Sequence, residues 1–102
     1  MTAITLRIIV ADDEQLAREE LCYQLAELGS VEVVAQTADG FEALAAIERH
    51  QPDLAFLDIQ MPGLTGFEVA KRLVASSNPP GVVFVTAYDQ YAVDAFEINA
   101  ID

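Results

Sequence analysis

Basic residues are scarce in this chain. Among 102 residues, five are Lys or Arg and 17 are Asp or Glu, which gives a formal net charge of -12 at pH 7. A surface this negative repels phosphate backbones and anionic lipid headgroups. Direct binding to nucleic acid or to a membrane surface is therefore not expected.

Cysteine and long apolar runs are also scarce. Cys22 is the single cysteine, which excludes an internal disulfide, and its place in a helical pattern beside Leu21 and Leu25 indicates a packed side chain. No apolar run approaches the roughly 20 residues that cross a bilayer, and the first residues lack the basic flank and apolar stretch of a secretory signal. The expected location is cytoplasmic, with no membrane partner.

The 53% hydrophobic content and the short length suit one domain over residues 1–102. Four short apolar runs predict strands at residues 6–11, 31–35, 54–57 and 82–85. Three of these runs are apolar almost throughout, as in a parallel sheet covered by helices on both faces. The run that starts at Val31 alternates with polar residues, as in an edge strand.

Helical patterns separate the strands. The first is expected to end at Gly29 and to bury one apolar face, made of Ala17, Leu21, Leu25 and Leu28. The second spans 41–50 behind a cap formed by Asp39 and Glu42. The third begins at a capping-box pattern, Thr65 with Glu68, and a fourth helical stretch covers 90–98. This regular alternation predicts an α/β fold with right-handed crossovers and an open parallel sheet between helices.

Acidic or hydroxylic residues follow three of the predicted strands. Asp12 and Asp13 follow the first strand, Asp58 follows the third and Thr86 follows the fourth. Ligands of open α/β sheets gather at the carboxyl ends of the strands, so the three carboxylates converge if the first and third strands are neighbours.

A converging set of carboxylates requires a cation or shifted pKa values. Two carboxylates about 5 Å apart repel by roughly 3 kcal/mol at an effective dielectric near 20. Hard oxygen ligands favour Mg2+, and no grouping of Cys and His competes for zinc. The alternative is that Asp12, Asp13 and Asp58 merely cap helices and turns, for which Asp is a common residue.

Three sequence runs resemble the receiver domains of two-component response regulators. They are residues 10–14 (VADDE), residues 56–63 (FLDIQMPG) with Gly66 after them, and residues 85–87 (VTA). The closing run from Thr86 is most similar to the subfamily in which the receiver precedes a LytTR-type DNA-binding domain. The resemblance implies a flavodoxin-like, doubly wound parallel sheet.

The resemblance also implies a role for each site residue. Asp58 is the expected phosphoacceptor, which takes a phosphoryl group from a sensor histidine kinase. Asp12 and Asp13 are expected to hold Mg2+ together with Asp58 and the backbone carbonyl of Gln60. Thr86 is expected to contact the phosphoryl oxygens.

Two further positions have a weaker expected role. Gln60 and Tyr88, two residues beyond Asp58 and Thr86, would flank the attacking water and tune the lifetime of the phosphoryl group. Ordinary loop positions explain both residues equally well.

The chain departs from the family pattern at its end. It stops at Asp102, before the fifth strand and helix of a receiver, so the phosphoryl-contacting lysine after that strand is absent and Lys71 lies too early to replace it. A fourth strand without a neighbour is expected to offer an unpaired edge, which favours a non-native dimer, a segment swap or aggregation. The downstream DNA-binding domain is likewise absent.

Two other functions remain open at this point. A fragment that cannot be phosphorylated would act only through association. A phosphohydrolase with an aspartyl-phosphate intermediate is disfavoured, because enzymes similar to haloacid dehalogenases place a second Asp where this chain has Gln60. Dinucleotide and mononucleotide enzymes are disfavoured because no glycine fingerprint or P-loop follows the first strand.

Overall fold

The computed structural model describes residues 4–85. Over these residues, strands and helices alternate as the sequence predicts. The elements are β1 (Leu6–Ala11), α1 (Gln15–Glu27), β2 (Val31–Thr37), α2 (Gly40–His50), β3 (Leu54–Asp58), α3 (Gly66–Val74) and β4 (Gly81–Val85). The helix predicted at 90–98 lies outside the described residues.

The four strands form one parallel sheet in the order β2-β1-β3-β4. This order begins the flavodoxin-like arrangement, in which the chain first adds a strand on one side of β1 and then continues on the other. The predicted edge position of β2 is confirmed. The strand is two residues longer than predicted because Gln36 and Thr37 still pair with Val10 and Ala11.

Helices cover both faces of the sheet, as the apolar strands predict. On one face, α2 and α3 pack on inward side chains such as Ile9 and Leu57, and this cluster is the larger core. On the other face, Leu25 of α1 packs on Ile8 and Val10. The consequence is a β1 strand buried on both faces in the middle of the sheet.

The apolar face predicted for α1 is partly wrong. Leu25 is buried and Leu21 is half-buried, but Ala17 is exposed and Leu28 is 69% exposed. The helix packs over β1 and β2, and Leu28 lies past its last turn, where the chain turns through a left-handed Gly29. Gly29 therefore ends the helix as expected, while the apolar residues near both ends of α1 face solvent.

The caps predicted for α2 and α3 are confirmed. The carboxylate of Asp39 accepts a hydrogen bond from the backbone of Glu42, at 2.8 Å. Thr65 and Glu68 form a reciprocal capping box, with distances of 3.1 and 2.8 Å between the paired atoms. These caps set where each helix starts and thereby fix the loops that precede α2 and α3.

Among residues 4–85, no helix has both the length and the apolar character needed to cross a membrane.

Candidate metal centre

The sheet brings three carboxylates to one edge. Ala11 of β1 pairs with Leu57 of β3, and Asp12 and Asp58 are the next residue after each. The two Asp residues therefore lie side by side at the carboxyl ends of adjacent strands. Asp13 is the next residue along the chain. Each of the three side chains offers an oxygen, and these oxygens all lie within 4.8 Å of one another.

Asp12 is the most buried member of this carboxylate cluster. It is 8% exposed, and its Oδ1 accepts a hydrogen bond from the backbone N–H of Glu14 at 2.9 Å. Its backbone carbonyl accepts a second hydrogen bond, from the Arg18 guanidinium at 2.8 Å. The turn after β1 is thereby held at both its side chain and its main chain.

Helix capping does not explain why the three carboxylates meet. The N-cap residue of α1 is Glu14, whose side chain makes no capping hydrogen bond, and the N-cap residue of α3 is Thr65. Neither Asp13 nor Asp58 occupies a cap position of these helices. The helix-cap alternative is therefore not supported for Asp13 and Asp58, whereas Asp12 and Asp58 each accept a hydrogen bond from the backbone N–H two residues on, as Asp residues that cap turns do.

The environment of the cluster raises the pKa of Asp58. The pKa of Asp58 is raised from 3.8 to about 6; burial is the largest cause, and the neighbouring charges of Asp12 and Asp13 contribute to the same shift. A hydrogen bond from the backbone N–H of Gln60 acts in the opposite direction but is outweighed. Without a compensating cation, the Asp58 carboxylate is poorly stabilised near neutral pH.

The donor set fits a small, hard divalent cation. Three carboxylates at one cleft supply the oxygen ligands that Mg2+ takes, while part of its coordination is left for water or a phosphate oxygen. A bound divalent charge would also offset the repulsion that raises the pKa of Asp58. The chemistry of the residues present therefore matches a magnesium site.

The loop between β3 and α3 is tightly packed beneath the cluster. Ile59, Met61 and Leu64 are buried, whereas Gln60 is exposed. The backbone N–H of Gly66 donates to the carbonyl of Ile59 at 2.9 Å. These three buried side chains thus anchor the loop in the core and leave Gln60 on its outer side.

Two of the predicted site residues, Thr86 and Tyr88, lie outside the described residues. The last described residue, Val85, pairs with Asp58 in the register of β3 and β4. Arg18 was missed in the sequence, because a single Arg within a helical pattern gives no signal that it binds a strand-end carbonyl. Phe41, which contacts the loop after β3, was likewise missed.

Comparisons with known proteins agree with this fold. Residues 8–102 match the family model described as the response regulator receiver domain. The chain belongs to that family, and it is thus a receiver domain of a two-component response regulator, with a regulatory role.

Individual relatives support the same assignment. An uncharacterized response regulatory protein of Vibrio cholerae is 54% identical over 99 residues, which are 96% of this chain and 38% of that protein. The sensory transduction protein LytT of Bacillus anthracis is 46% identical over 97 residues, or 95% of this chain and 39% of the relative. This chain therefore spans about two fifths of the length of these relatives.

Solved structures share the fold. The response regulatory domain of protein mrkE from Klebsiella pneumoniae matches with a TM-score of 0.84 and 34% identity, over 95% of this chain and 80% of that one. The flavodoxin-like receiver fold predicted from the sequence is confirmed.

Proposed function

We propose that this domain accepts a phosphoryl group on Asp58 from a sensor histidine kinase. The observation that carries the proposal is the meeting of three carboxylates, one from β3 and two following β1, within 4.8 Å. Asp12, Asp13, Asp58 and the backbone carbonyl of Gln60 are the proposed Mg2+ ligands. Bound Mg2+ would supply positive charge that offsets the negative charge of both reactants.

The residues of the chain supply the nucleophile of this reaction and an acidic neighbour held beside it. An oxygen of the Asp58 carboxylate attacks the phosphorus, the bond from phosphorus to the imidazole nitrogen of the donor breaks, and its electron pair leaves with that nitrogen. The product is an aspartyl phosphate. The Asp12 carboxylate is held by the backbone N–H of Glu14, and its main chain by Arg18, so the carboxylate can keep one position while Asp58 reacts.

Thr86, Gln60 and Tyr88 have proposed supporting roles. Thr86 follows Val85, the β4 residue paired with Asp58, which agrees with a contact to the phosphoryl oxygens. Gln60 lies two residues from Asp58 on the exposed side of its loop, where it can flank an attacking water. Tyr88 is proposed to share that function.

The output of the domain is proposed to be control of transcription. The relatives are more than twice as long as this chain, and one of them is a sensory transduction protein LytT. We propose a cytoplasmic regulator in which this domain at 1–102 controls a downstream LytTR-type DNA-binding domain. The domain turns over no external metabolite, since the phosphoryl group stays on its own carboxylate until water removes it.

A second copy of the chain is the proposed partner at β4. Among the described residues, β4 pairs with β3 on one side and with no strand on the other. Such an edge can pair with another chain. Light scattering at high protein concentration is expected to give a dimer mass, and a monomer mass throughout would refute this part of the proposal.

Acetyl phosphate and Mg2+ test the phosphoacceptor role. Intact-mass measurement is expected to show the gain of one phosphoryl group in the wild-type chain and no gain in Asp58→Asn. Asp53→Asn is the matched control, because this carboxylate lies at the opposite end of β3 and should leave the mass gain unchanged. No gain in the wild-type chain would favour the alternative of a fragment that acts only through association.

A further inference from the structure

The loop after β3 is held from outside by the start of α2. The backbone N–H of Gly40 donates to the carbonyl of Pro62 at 3.0 Å. Gly40 also lies directly against the backbone of Leu64, with no space for a β-carbon. Two main-chain contacts therefore tie α2 to the segment that follows Asp58.

A third contact comes from an aromatic side chain. The ring of Phe41 lies over Gly63, so closely that a β-carbon on Gly63 would be 2.7 Å from Cδ2 of the ring. Gly63 has a φ of +81°, a left-handed conformation that favours glycine. The loop thus turns at the one position where the Phe41 ring closes over its backbone.

Phe41 does not belong to the hydrophobic core. It is 56% exposed and lies outside both core clusters of the described residues, so its ring makes a local contact at the surface. The buried side chains of Ile59, Met61 and Leu64 hold the loop from below, while Phe41 covers it from above. Gln60 lies within this clamped segment, where its backbone N–H donates to Asp58.

We infer that Phe41 is a positioning residue that holds the loop over residues 60–64, and thereby sets the Mg2+ affinity of the site. The inference rests on the proposed function, because it takes the Gln60 carbonyl as a metal ligand. When the ring is removed, Gly63 regains its freedom to turn, and the carbonyl of Gln60, three residues earlier in the loop, loses a fixed direction. A metal bound to that carbonyl is then held less tightly.

Phe41→Ala tests the inference in two measurements. Hydrogen exchange of the amides of Gln60, Met61, Gly63 and Leu64 in the metal-free chain is expected to speed up by about tenfold. Titration with Mg2+ alone, followed by amide chemical shifts, is expected to show an affinity roughly tenfold weaker than that of the wild-type chain, the effect typical of groups that orient metal ligands. Phe41→Leu, which keeps an apolar cover over Gly63, should recover most of both properties.

Val74→Ala is the matched control. Val74 is 78% exposed at the end of α3, so its truncation removes a surface apolar side chain without touching the loop. It should leave exchange at 60–64 and Mg2+ affinity unchanged.

The outcomes separate this inference from the proposed function. If Phe41→Ala lowers the free energy of unfolding but keeps the wild-type Mg2+ affinity, the ring only packs and the inference is wrong, while the phosphoacceptor role stands. If the wild-type chain shows neither Mg2+ binding nor Asp58-dependent phosphorylation, both are overturned.

Discussion

Gly66 lies directly against the backbone carbonyl of Asp58. A β-carbon at position 66 would be 2.5 Å from that oxygen and 3.2 Å from Cα of Ile59. The first residue of α3 can therefore approach the end of β3 only because it has no side chain. This contact connects the start of a helix to the main chain of the proposed phosphoacceptor.

Gly66→Ala should damage both stability and the site. The methyl group must displace the Asp58 carbonyl, and such overpacking costs about 2 kcal/mol. We expect urea unfolding to show this loss and Mg2+ titration to show weaker binding. Gly29→Ala is the comparison, since Gly29 has open space around it but a φ of +80°. It should cost about 1 kcal/mol of conformational strain and leave Mg2+ binding intact.

The stability of the metal-free chain should depend on the charge of Asp58. Because the pKa of Asp58 is raised to about 6 in the folded chain, folding favours its protonated form. The contribution of Asp58 to the free energy of unfolding is fully present below about pH 4 and is lost as the pH rises through about 6. Asp58 is only half-buried, so solvent screening reduces the expected loss to about 1 kcal/mol.

Asp58→Asn provides the measurement. In the presence of a metal chelator at pH 7.5, the free energy of unfolding of the variant should be about 1 kcal/mol higher than that of the wild-type chain. Near pH 4 the two free energies of unfolding should be equal. Equal stability of the two chains at pH 7.5 would contradict the raised pKa.

Magnesium should reverse the effect of the Asp58 charge. A metal that binds only the folded state stabilises it by about 1.4 kcal/mol when the free Mg2+ concentration is tenfold above the dissociation constant. We expect thermal unfolding of the wild-type chain to shift upward with Mg2+ at pH 7.5 and much less at pH 5, because protons then compete for Asp58. Asp12→Asn should abolish most of the shift, whereas Asp53→Asn, at the other end of β3, should not.

The sequence predicted the features that are local or set by pairing of strands. Capping side chains act within three residues, so Thr65 and Glu68 could be identified from spacing alone. The convergence of Asp12 and Asp58 was predicted on the condition that the first and third strands are neighbours, and the strand order meets that condition.

Features that depend on tertiary contact could not be predicted in this way. Leu28 has the helical spacing of a core residue but is exposed, because the helix ends before it. The contact between Phe41 and Gly63 joins the start of α2 to a loop that is distant in sequence, and neither residue shows a pattern that indicates the other. The role of Arg18 at the Asp12 carbonyl depends in the same way on how α1 lies beside the end of β1.

Replacing the buried hydroxyl of Thr37 should make the chain more stable. Its Oγ1 is buried and has no hydrogen-bond partner among residues 4–85, at the end of β2 where Thr37 pairs with Ala11. A buried polar group without a partner costs about 1 to 3 kcal/mol, and Val has nearly the same shape as Thr with a methyl group in place of the hydroxyl. Thr37→Val should therefore raise the free energy of unfolding, measured by urea unfolding, by about 1 kcal/mol.

Thr37→Ser is the control, because it keeps the hydroxyl and loses the methyl group, and it should lower the free energy of unfolding. A Val variant less stable than the wild-type chain would show that the hydroxyl makes a stabilising contact.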